Sequence, residues 1–572
     1  MNRRTRVLAL IAAALLLLTG CSAIPASTDP VVVGPPASVP DETNEGLGIQ
    51  PGGPEPGSST DRIVRDFITA LTATDIARQY LTPEAAEQWT PSDQVTVIEV
   101  AYNATPGSAA GSVTFSANRV ARVDSSGGYH TDVGSHTYDF ELEQIQGEWR
   151  ITNPPEGLIL DRDGFDALYQ EASVYFADPS GTRLIPDVRY FRTNPEQRAN
   201  RLVRALLNGP VSALKPGVRN ELADPVQLRS AVAYSGEPIT VDLGGLEDKS
   251  EGQLRILSAQ LIWTLSDLGI ESLRITSNGD PISIPNIGET QTLSDWAEYE
   301  PNSYPVAATA YYLNEGAVFN ATTEPVDGPV GTGEYAITKA AVSVADTLDN
   351  TRIAAVSGAA DPPVLRTGPL NGVLDTVDLP GTKTLTAPTW GPSTQEFWIA
   401  RNGSEIIRVS ADGVPKVVDT SSLGDIGKIR TIVLSRDGAR LAIIAGDSAE
   451  KKRLYLSTVQ ATSESVSLLP PEPIAADLDV SAVAWNDART LALLGRSSPT
   501  GTVYPYTMLV DGSQRVQLSA PPGDHDATAL SAAPGRMFLC SIEGNVLRLQ
   551  DSNWASLVNS VGVAGADPFY PG

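Results

Sequence analysis

A chain of 572 residues is too long for one hydrophobic core, so its length indicates three or four domains. Hydrophobic residues make up 41% of it, beside 49 glycines and 43 prolines, which is typical of folded, turn-rich protein and not of a disordered chain. The formal charge of −27 argues against nucleic-acid binding, because an acidic surface repels phosphate backbones and anionic lipid headgroups.

The first 21 residues form an export signal. A basic start, Arg3–Arg6, precedes twelve apolar residues, Val7–Leu18, and two small residues then lead to Cys21. As a helix the apolar run would cover about 18 Å, too little for a hydrocarbon core about 30 Å thick. The ending resembles a bacterial lipobox. That resemblance implies cleavage after residue 20, a diacylglyceryl thioether on Cys21 and an acyl group such as palmitate on its amino terminus. The alternative is an ordinary cleaved signal with Cys21 as a bystander.

Acylated Cys21 would hold the protein on the outer face of the cell membrane, because several acyl chains anchor durably. Loss of the three signal arginines takes the formal charge from −27 to −30, so no electrostatic membrane contact is expected. Residues 22–60 contain eight prolines, six glycines, five acids and no Lys or Arg. Such a segment buries too little apolar surface to compensate for the conformational entropy that it would lose on folding, so we expect an extended tether over residues 21–60.

A first folded unit is predicted over residues 61–157. Apolar residues at helical spacing run from Ile63 to Leu71, and a second helical stretch reaches Trp89. Helices followed by antiparallel strands indicate an α+β fold. The pattern resembles NTF2-like modules of exported actinobacterial proteins, which implies a curved sheet around a helix. The predicted strands are Val95–Val100, Ser112–Val123, Tyr138–Leu142 and Glu148–Ile151.

Residues 173–285 have a mixed α/β pattern. A helix through Leu202 to Leu207 ends at Asn208-Gly209-Pro210, where Gly adopts a left-handed cap and Pro prevents continuation. This turn and the ending at Asn278-Gly279 resemble the GerMN domain of spore-germination lipoproteins, which implies the same fold here. The remaining predicted elements are strands at Val174–Phe176, Leu184–Arg189, Ile239–Leu243 and Ser272–Ile275, and a helix over Leu254–Leu265.

From residue 301 to 572 short strands recur. Five segments repeat an apolar strand, a turn and a second apolar strand, with equivalent positions 44–51 residues apart. That spacing matches four-stranded propeller blades, so we predict an all-β propeller of five or more blades. The alternative is a β-sandwich with coincidental spacing. The equivalent positions are Val344, Trp390, Leu434, Trp485 and Ser531.

Candidates for catalysis or metal binding are few. His130 and His136 lie six residues apart in a strand-rich segment and could share an ion only if a hairpin separated them, so solvent-facing side chains are expected. His525 stands in a loop without a visible partner. Asp161 and Asp163 begin a calcium-loop-like pattern that lacks its glutamate, which favours a solvated turn. We expect no metal and no cofactor.

Two further features could be mistaken for sites. Cys540 lies in an apolar strand-like run, which favours a buried, inert thiol. Aromatic clusters at Tyr304, Tyr311 and Tyr312 and at Pro568–Tyr570 favour packing between domains, with a glycan or peptide platform as the alternative. No nucleophile and base are indicated, so Cys21 is the site residue that the sequence identifies and no enzyme is expected.

In order, the lipobox, the acidic tether, the NTF2-like module, the GerMN domain and the propeller resemble the actinobacterial lipoprotein LpqB family. The resemblance implies an accessory protein that contacts the extracellular domain of a membrane sensor histidine kinase, MtrB, and modulates signalling to MtrA in cell-wall homeostasis and division. The residues alone indicate a tethered protein that binds a partner. The alternative is a cell-wall glycan-binding protein, or a propeller-based glycan hydrolase or lyase, which would need two carboxylates converging at the channel mouth.

Overall fold

Residues 51–572 are described by a computed structural model, except for residues 194, 233–237, 346, 359–360, 449–450, 463–464 and 558–562. The predicted signal peptide, Cys21 and the tether up to residue 50 lie outside the described residues. Residues 52–57 already contact the first domain: the Tyr80 hydroxyl donates to the Gly52 carbonyl at 2.7 Å, and the Gly57 amide donates to Glu148 at 2.9 Å. In this part of the chain the helices are too short or too polar to cross a bilayer.

The N-terminal module, residues 51–168, is an α+β domain, as predicted. Its sheet runs in the order β4-β3-β2-β1-β5, and only β5 lies parallel to its neighbour. Helix α1 packs on this sheet through Ile63 and Phe67, which are almost completely buried. The helices are α1 (Thr60–Ala70), α2 (Thr74–Ala77), α3 (Pro83–Gln88) and α4 (Arg162–Leu168), and the strands are β1 (Val95–Pro106), β2 (Ser112–Val123), β3 (Tyr129–Ile145), β4 (Glu148–Ile151) and β5 (Leu158–Asp161).

The middle domain, residues 169–299, has a mixed sheet in the order β11-β10-β9-β8, with β12 also pairing β10. Its first two strands form a separate hairpin, β6–β7, which α6 holds by side chains: Thr264 accepts from the Tyr175 amide, and Gln260 donates to the Tyr175 carbonyl, both at 3.0 Å. The elements are β6 (Tyr169–Ala177), β7 (Leu184–Arg192), α5 (Pro195–Asn208), β8 (Gln227–Leu228), β9 (Ile239–Gly244), α6 (Glu251–Ser266), β10 (Ser272–Ser277), β11 (Asp280–Pro281) and β12 (Thr290–Thr292).

The two turns that carried the GerMN resemblance have the predicted backbone. Gly209 follows α5 with φ of 89°, and Asn278 and Gly279 form the β10–β11 turn with φ of 52° and 93°. A side chain with a Cβ is strained in this left-handed region, so glycine and asparagine are the residues that fit. Helix α6 begins at a capping box of Ser250 and Gln253, which the sequence analysis did not use.

Six sheets form the propeller in the part of the chain that the structure describes. Its first strands are β13 (Tyr311–Asn314) and β14 (Ala317–Asn320). Blades 1 to 3 contain β15 (Ile337–Val342), β16 (Arg352–Ser357), β17 (Val364–Pro369) and β18 (Asp375–Thr376); β19 (Thr389–Trp390), β20 (Glu396–Arg401), β21 (Glu405–Ser410) and β22 (Pro415–Val417); and β23 (Ile429–Leu434), β24 (Arg440–Ala445), β25 (Arg453–Ala461), β26 (Val466–Leu468) and β27 (Glu472–Ile474). Blades 4 and 5 contain β28 (Asp479–Trp485), β29 (Thr490–Arg496), β30 (Tyr504–Leu509) and β31 (Val516–Gln517); and β32 (Ala529–Ser531), β33 (Leu539–Ile542), β34 (Asn545–Gln550) and β35 (Asn553–Ser556).

The last strand, β36 (Ala566–Phe569), pairs antiparallel with β13 and completes the sixth blade. The two ends of the propeller segment therefore close the ring, which removes the free sheet edges that a sandwich would keep. The predicted equivalent positions Trp390, Leu434, Trp485 and Ser531 each end an inner strand. Val344 does not end an inner strand, because β15 ends at Val342. A shift of two residues leaves the side chain on the same face of the strand, so the alternating apolar pattern could not detect it.

Candidate functional site: the propeller channel and the three-domain junction

The structure places the predicted histidines apart from one another. His130 and His136 both lie on β3, without a hairpin between them. The expectation of solvent-facing rings is wrong for both: His130 is half-buried with its Nε2 2.8 Å from Asp124, and the His136 ring packs edge-on against Phe115. His525 lies exposed before β32. Across the described residues, no three His, Cys, Asp or Glu side chains are grouped to hold a metal ion.

The acidic pair and the cysteine have structural roles. Asp161 accepts the Gly164 amide at 2.8 Å and caps α4, so this segment starts a helix and is not the solvated turn predicted. The reason is local: an Asp at the N-cap satisfies an amide that the helix leaves unpaired. Cys540 is fully buried in β33, and burial raises the pKa of its thiol to about 12, which confirms the predicted inert environment.

The two aromatic clusters close the propeller. Tyr311 on β13 stacks on Phe569 of β36 with ring centroids 5.9 Å apart, and Tyr312 stacks on Phe319 of β14 at 5.5 Å. The expectation of packing between domains is therefore corrected: these rings pack within the sixth blade, because its strands come from both ends of the propeller segment. Tyr311 and Tyr312 are at most 6% exposed, which is too little for a binding platform.

One end of the central channel, which we call the closed end, is sealed by Arg436. This residue follows β23 and donates to the carbonyls of Trp485 at 3.0 Å and Pro571 at 3.4 Å. Its guanidinium lies 5.1 Å from the ring centroid of Tyr304, whose hydroxyl also donates to Pro571. The inner strands end here, so an arginine, a tyrosine and the last residues of the chain together block the channel.

The opposite end, which we call the open mouth, carries charged and hydroxyl side chains. The channel encloses a cavity of about 290 Å³ between the inner strands of the six blades. Small apolar side chains and backbone line its walls. The polar residues where the inner strands begin are Lys339, Arg430, Ser481, Thr528 and Asp567.

The other two domains sit on the closed-end face of the propeller and meet it at a three-domain junction. The Tyr190 hydroxyl of β7 donates to the Ser513 hydroxyl at 2.7 Å, and the Thr131 hydroxyl of β3 donates to the Asp511 carbonyl at 3.2 Å. Asp511 and Ser513 belong to the Asp-Gly turn between β30 and β31. Two strands from two different domains therefore contact one propeller turn.

A buried ion pair ties the first two domains together at this junction. Asp187 and Arg189 on β7 are at most 3% exposed, and their side chains pair at 2.7 Å. Arg189 also donates to the Gly209 carbonyl at 2.7 Å and to the Ser126 carbonyl of the N-terminal module at 3.2 Å. A buried charge is tolerated only when it is paired and hydrogen-bonded, so this arginine fixes the two domains relative to each other.

A second buried arginine reaches from the propeller into the same junction. Arg440 of β24 donates to the Pro186 carbonyl of β7 at 2.6 Å. Beside it, burial raises the pKa of Asp511 to about 6, and Asp511 Oδ2 has no hydrogen-bond partner among the described residues. A cavity of about 420 Å³ separates these groups from the half-buried His130.

Local sequence patterns did not predict the roles of Arg189, Arg436 or Arg440. A signal was present for Arg189, because the run Ile185-Pro-Asp-Val-Arg189 places two charges inside an apolar strand. Charges on the buried face of a strand indicate an internal pair. Arg436 follows β23 and Arg440 begins β24, at ordinary turn positions. Exposed arginines are as common as buried ones at such positions, so the sequence does not mark these two as buried.

Three family models match the chain: "Lipoprotein LpqB, N-terminal domain" over residues 53–166, "Sporulation and spore germination" over 173–283, and "Lipoprotein LpqB beta-propeller domain" over 317–571. The two LpqB models together match more than half of the chain. The chain is 29% identical to Lipoprotein LpqB of Rhodococcus opacus, over 100% of this chain and 99% of the relative. It is also 29% identical to Lipoprotein LpqB of Mycolicibacterium smegmatis, over 98% and 99%.

Among solved structures, TolB from Acinetobacter baumannii is similar over 48% of this chain and 70% of that chain, with 14% identity and a TM-score of 0.31. The tandem GerMN domains of GerM from Bacillus subtilis are similar over 27% of this chain and 58% of that chain, with 18% identity and a TM-score of 0.20. The full-length sequence matches and the LpqB models over both terminal domains agree. The chain belongs to the lipoprotein LpqB family.

Proposed function

We propose that this lipoprotein is anchored through Cys21 on the extracytoplasmic face of the cell membrane. There it acts, without catalysis, as an accessory protein of a two-component sensor kinase of the MtrB/MtrA type in cell-wall homeostasis and division. The lipobox and the family name support the anchor. The kinase partner comes from the family resemblance, and the structure supports the narrower idea of a protein that works by contact.

The observation that carries the proposal is the three-domain junction. Residues 51–572 form one compact unit, and buried Arg189 and Arg440 connect its three domains on one face of the propeller. Within the described residues, the other two domains do not cover the opposite face of the propeller. Because the domains are connected through buried groups, a partner bound at the open face is mechanically coupled to the module that follows the tether.

The anchor is tested by counting thiols, since the chain has two cysteines. Protein extracted from membranes should show no reactive thiol when folded, because Cys540 is buried, and one when unfolded, because Cys21 is acylated. A Cys21→Ala variant should also show one thiol on unfolding but should leave the membrane. One thiol in the folded wild type and two after unfolding would contradict acylation.

The kinase role is tested in vesicles that contain the sensor kinase and its response regulator. Anchoring raises the effective concentration of a weak partner, so lipidated full-length protein should change the rate of phosphotransfer to the regulator. The Cys21→Ala chain at the same total concentration should have a much smaller effect. Equal effects of the two proteins, or no effect of either, would contradict the proposal.

The glycan hydrolase or lyase alternative meets a difficulty at the channel. Glycoside hydrolysis ordinarily requires two carboxylates on either side of the scissile bond. Of the described residues that line the channel, Asp567 is the one that carries a carboxylate side chain. Incubation of the full-length protein with peptidoglycan should therefore release no fragments, and fragments that Asp567→Asn abolishes would replace the accessory role with catalysis.

A further inference from the structure

The open mouth of the propeller channel is built by a repeated irregularity of the backbone. In the described chain, β15, β23 and β28 each contain one extra residue relative to their partner strands, at Thr338, Arg430 and Ser481. Strand β36 likewise contains an extra residue opposite β13, next to Asp567. A β-bulge redirects the side chains around it. A bulge lies near the start of the inner strand in four of the blades, and we call these four bulges the bulge ring. Because the bulges recur at the same level, they are a regular feature of the open mouth.

The bulge ring turns charges of both signs toward one cavity. Lys339, Arg430 and Asp567 all line it. Lys339 is partly buried, and its Nζ donates to the Leu385 carbonyl at 2.6 Å; among the described residues its other two N–H groups have no acceptor. Arg430 is exposed, and its guanidinium donates to the Gly446 carbonyl at 3.3 Å and to the Asp447 carbonyl at 3.4 Å.

The opposite charges at the mouth are close enough to interact but are not paired. Lys339 and Asp567 each influence the pKa of the other, yet no ion pair within 4.0 Å joins them among the described residues. Asp567 has a φ of 46°, a left-handed conformation that a strand residue rarely adopts. Such backbone strain is retained where the surrounding structure requires a particular side-chain placement.

The cavity has the form of a small-molecule pocket. Its volume of about 290 Å³ lies near the lower limit for such sites, about 300 Å³. Arg436 blocks the far end, so a solute enters and leaves through the open mouth. Below the charged ring the walls are formed by small apolar residues such as Ala340, Ala482 and Ala529. The pocket therefore offers apolar walls between Arg436 at its closed end and the two cations and one anion at its open mouth.

We propose that the open mouth binds a small zwitterion of the amino-acid class. Its carboxylate meets Lys339 and Arg430, and its ammonium group meets Asp567. A simple anion would leave Asp567 unpaired, and a simple cation would leave Lys339 unpaired, whereas a zwitterion pairs both. This site goes beyond the accessory role, since it requires neither the kinase nor the membrane. A free amino acid and a dipeptide, whose two termini carry opposite charges, share this chemistry.

Calorimetry on the full-length protein in detergent tests the site with defined probes. The L- and D-forms of alanine, glutamate and lysine are compared with alanyl-alanine, and with acetate and ethylamine as single-charge probes. We expect at least one zwitterion to bind at about tenfold or more higher affinity than either single-charge probe, because it forms charge-assisted bonds at both ends. An amino acid that binds more tightly than the dipeptide identifies a free amino acid as the ligand, and the reverse order of affinity identifies a short peptide that carries both termini.

Variants locate the binding. Lys339→Met and Asp567→Asn should each weaken the best zwitterion by about tenfold or more, since each removes one charge-assisted bond. Lys416→Met on β22 and Asp375→Asn on β18 remove the same charges from exposed outer strands and should leave the affinity unchanged. The proposal is overturned if no zwitterion binds at millimolar concentration, if acetate binds as tightly, or if both mouth variants bind like the wild type.

Discussion

The two faces of the propeller treat charged side chains in opposite ways. Strand β23 shows this within one blade: Arg430, at its open-mouth end, is exposed, whereas Arg436, just past its other end, is enclosed by backbone carbonyls. Burial of a charge is costly unless hydrogen bonds replace the lost water. The closed end therefore encloses Arg436 among backbone carbonyls, and the open mouth leaves Arg430 exposed. Position along a blade, and not residue type, therefore decides what an arginine does here.

The largest effect should come from the junction. Arg189→Met leaves the Asp187 carboxylate buried without its partner, so we expect a loss of about 3–5 kcal/mol in the free energy of unfolding. Urea denaturation of the full chain measures it. Arg122→Met is the matched control, because its pair with Asp132 is 64% exposed on the arginine side and should contribute less than about 1 kcal/mol. Similar losses in both variants would contradict the buried role of Arg189.

A smaller loss is expected at the closed end. Arg436→Met removes hydrogen bonds to the carbonyls of Trp485 and Pro571 and the contact with the Tyr304 ring. Hydrogen bonds from charged donors indicate a loss of about 2–3 kcal/mol, visible in thermal unfolding followed by tryptophan fluorescence. Tyr304→Phe removes one neutral donor and should cost about 1 kcal/mol. If Arg436→Met unfolds like the wild type, the arginine does not hold this end together.

The junction should also show a pH dependence. Burial raises the pKa of Asp511 to about 6, above its unfolded value of about 3.9. Protonated Asp511 therefore contributes stability that is fully present below about pH 4 and is lost as the pH rises through about 6. Asp511→Asn keeps the acceptor for Ser513 and cannot ionise. Its free energy of unfolding should therefore be higher than that of the wild type by up to about 2 kcal/mol above pH 6 and equal to it below pH 4. A constant difference across pH 4–7 would contradict this assignment.

The smallest effect is expected at the open mouth. Arg430→Gln removes an exposed guanidinium, so the free energy of unfolding should change by no more than about 0.5 kcal/mol. When Arg430→Gln and Arg436→Met are measured under the same conditions, their free energies of unfolding compare two arginines six positions apart in the sequence. A large loss for Arg430→Gln would show that the mouth is structural, and the contrast between the two faces would fail.

Local patterns predicted most of the elements because each depends on neighbours in sequence. Strands Ser112–Val123 and Glu148–Ile151 were predicted with the bounds observed, and the turn glycine Gly209 has the conformation its position required. The number of blades could not be predicted, because β13 finds its partner β36 about 250 positions later. The aromatic residues at both ends were visible in the sequence, but only the pairing showed that they close one blade.

The sequence alone predicted an export signal, which lies outside the described residues, and it predicted the order of the three domains, the sheet-forming repeats and the buried thiol, because composition and periodicity record local preference and burial. Which arginines are enclosed and which are exposed depends on the tertiary fold. Whether an arginine is enclosed or exposed depends on carbonyls that other domains bring to it: Arg189 meets the Ser126 carbonyl, and Arg440 meets the Pro186 carbonyl. Those partners lie far away in sequence, and no local pattern specifies them.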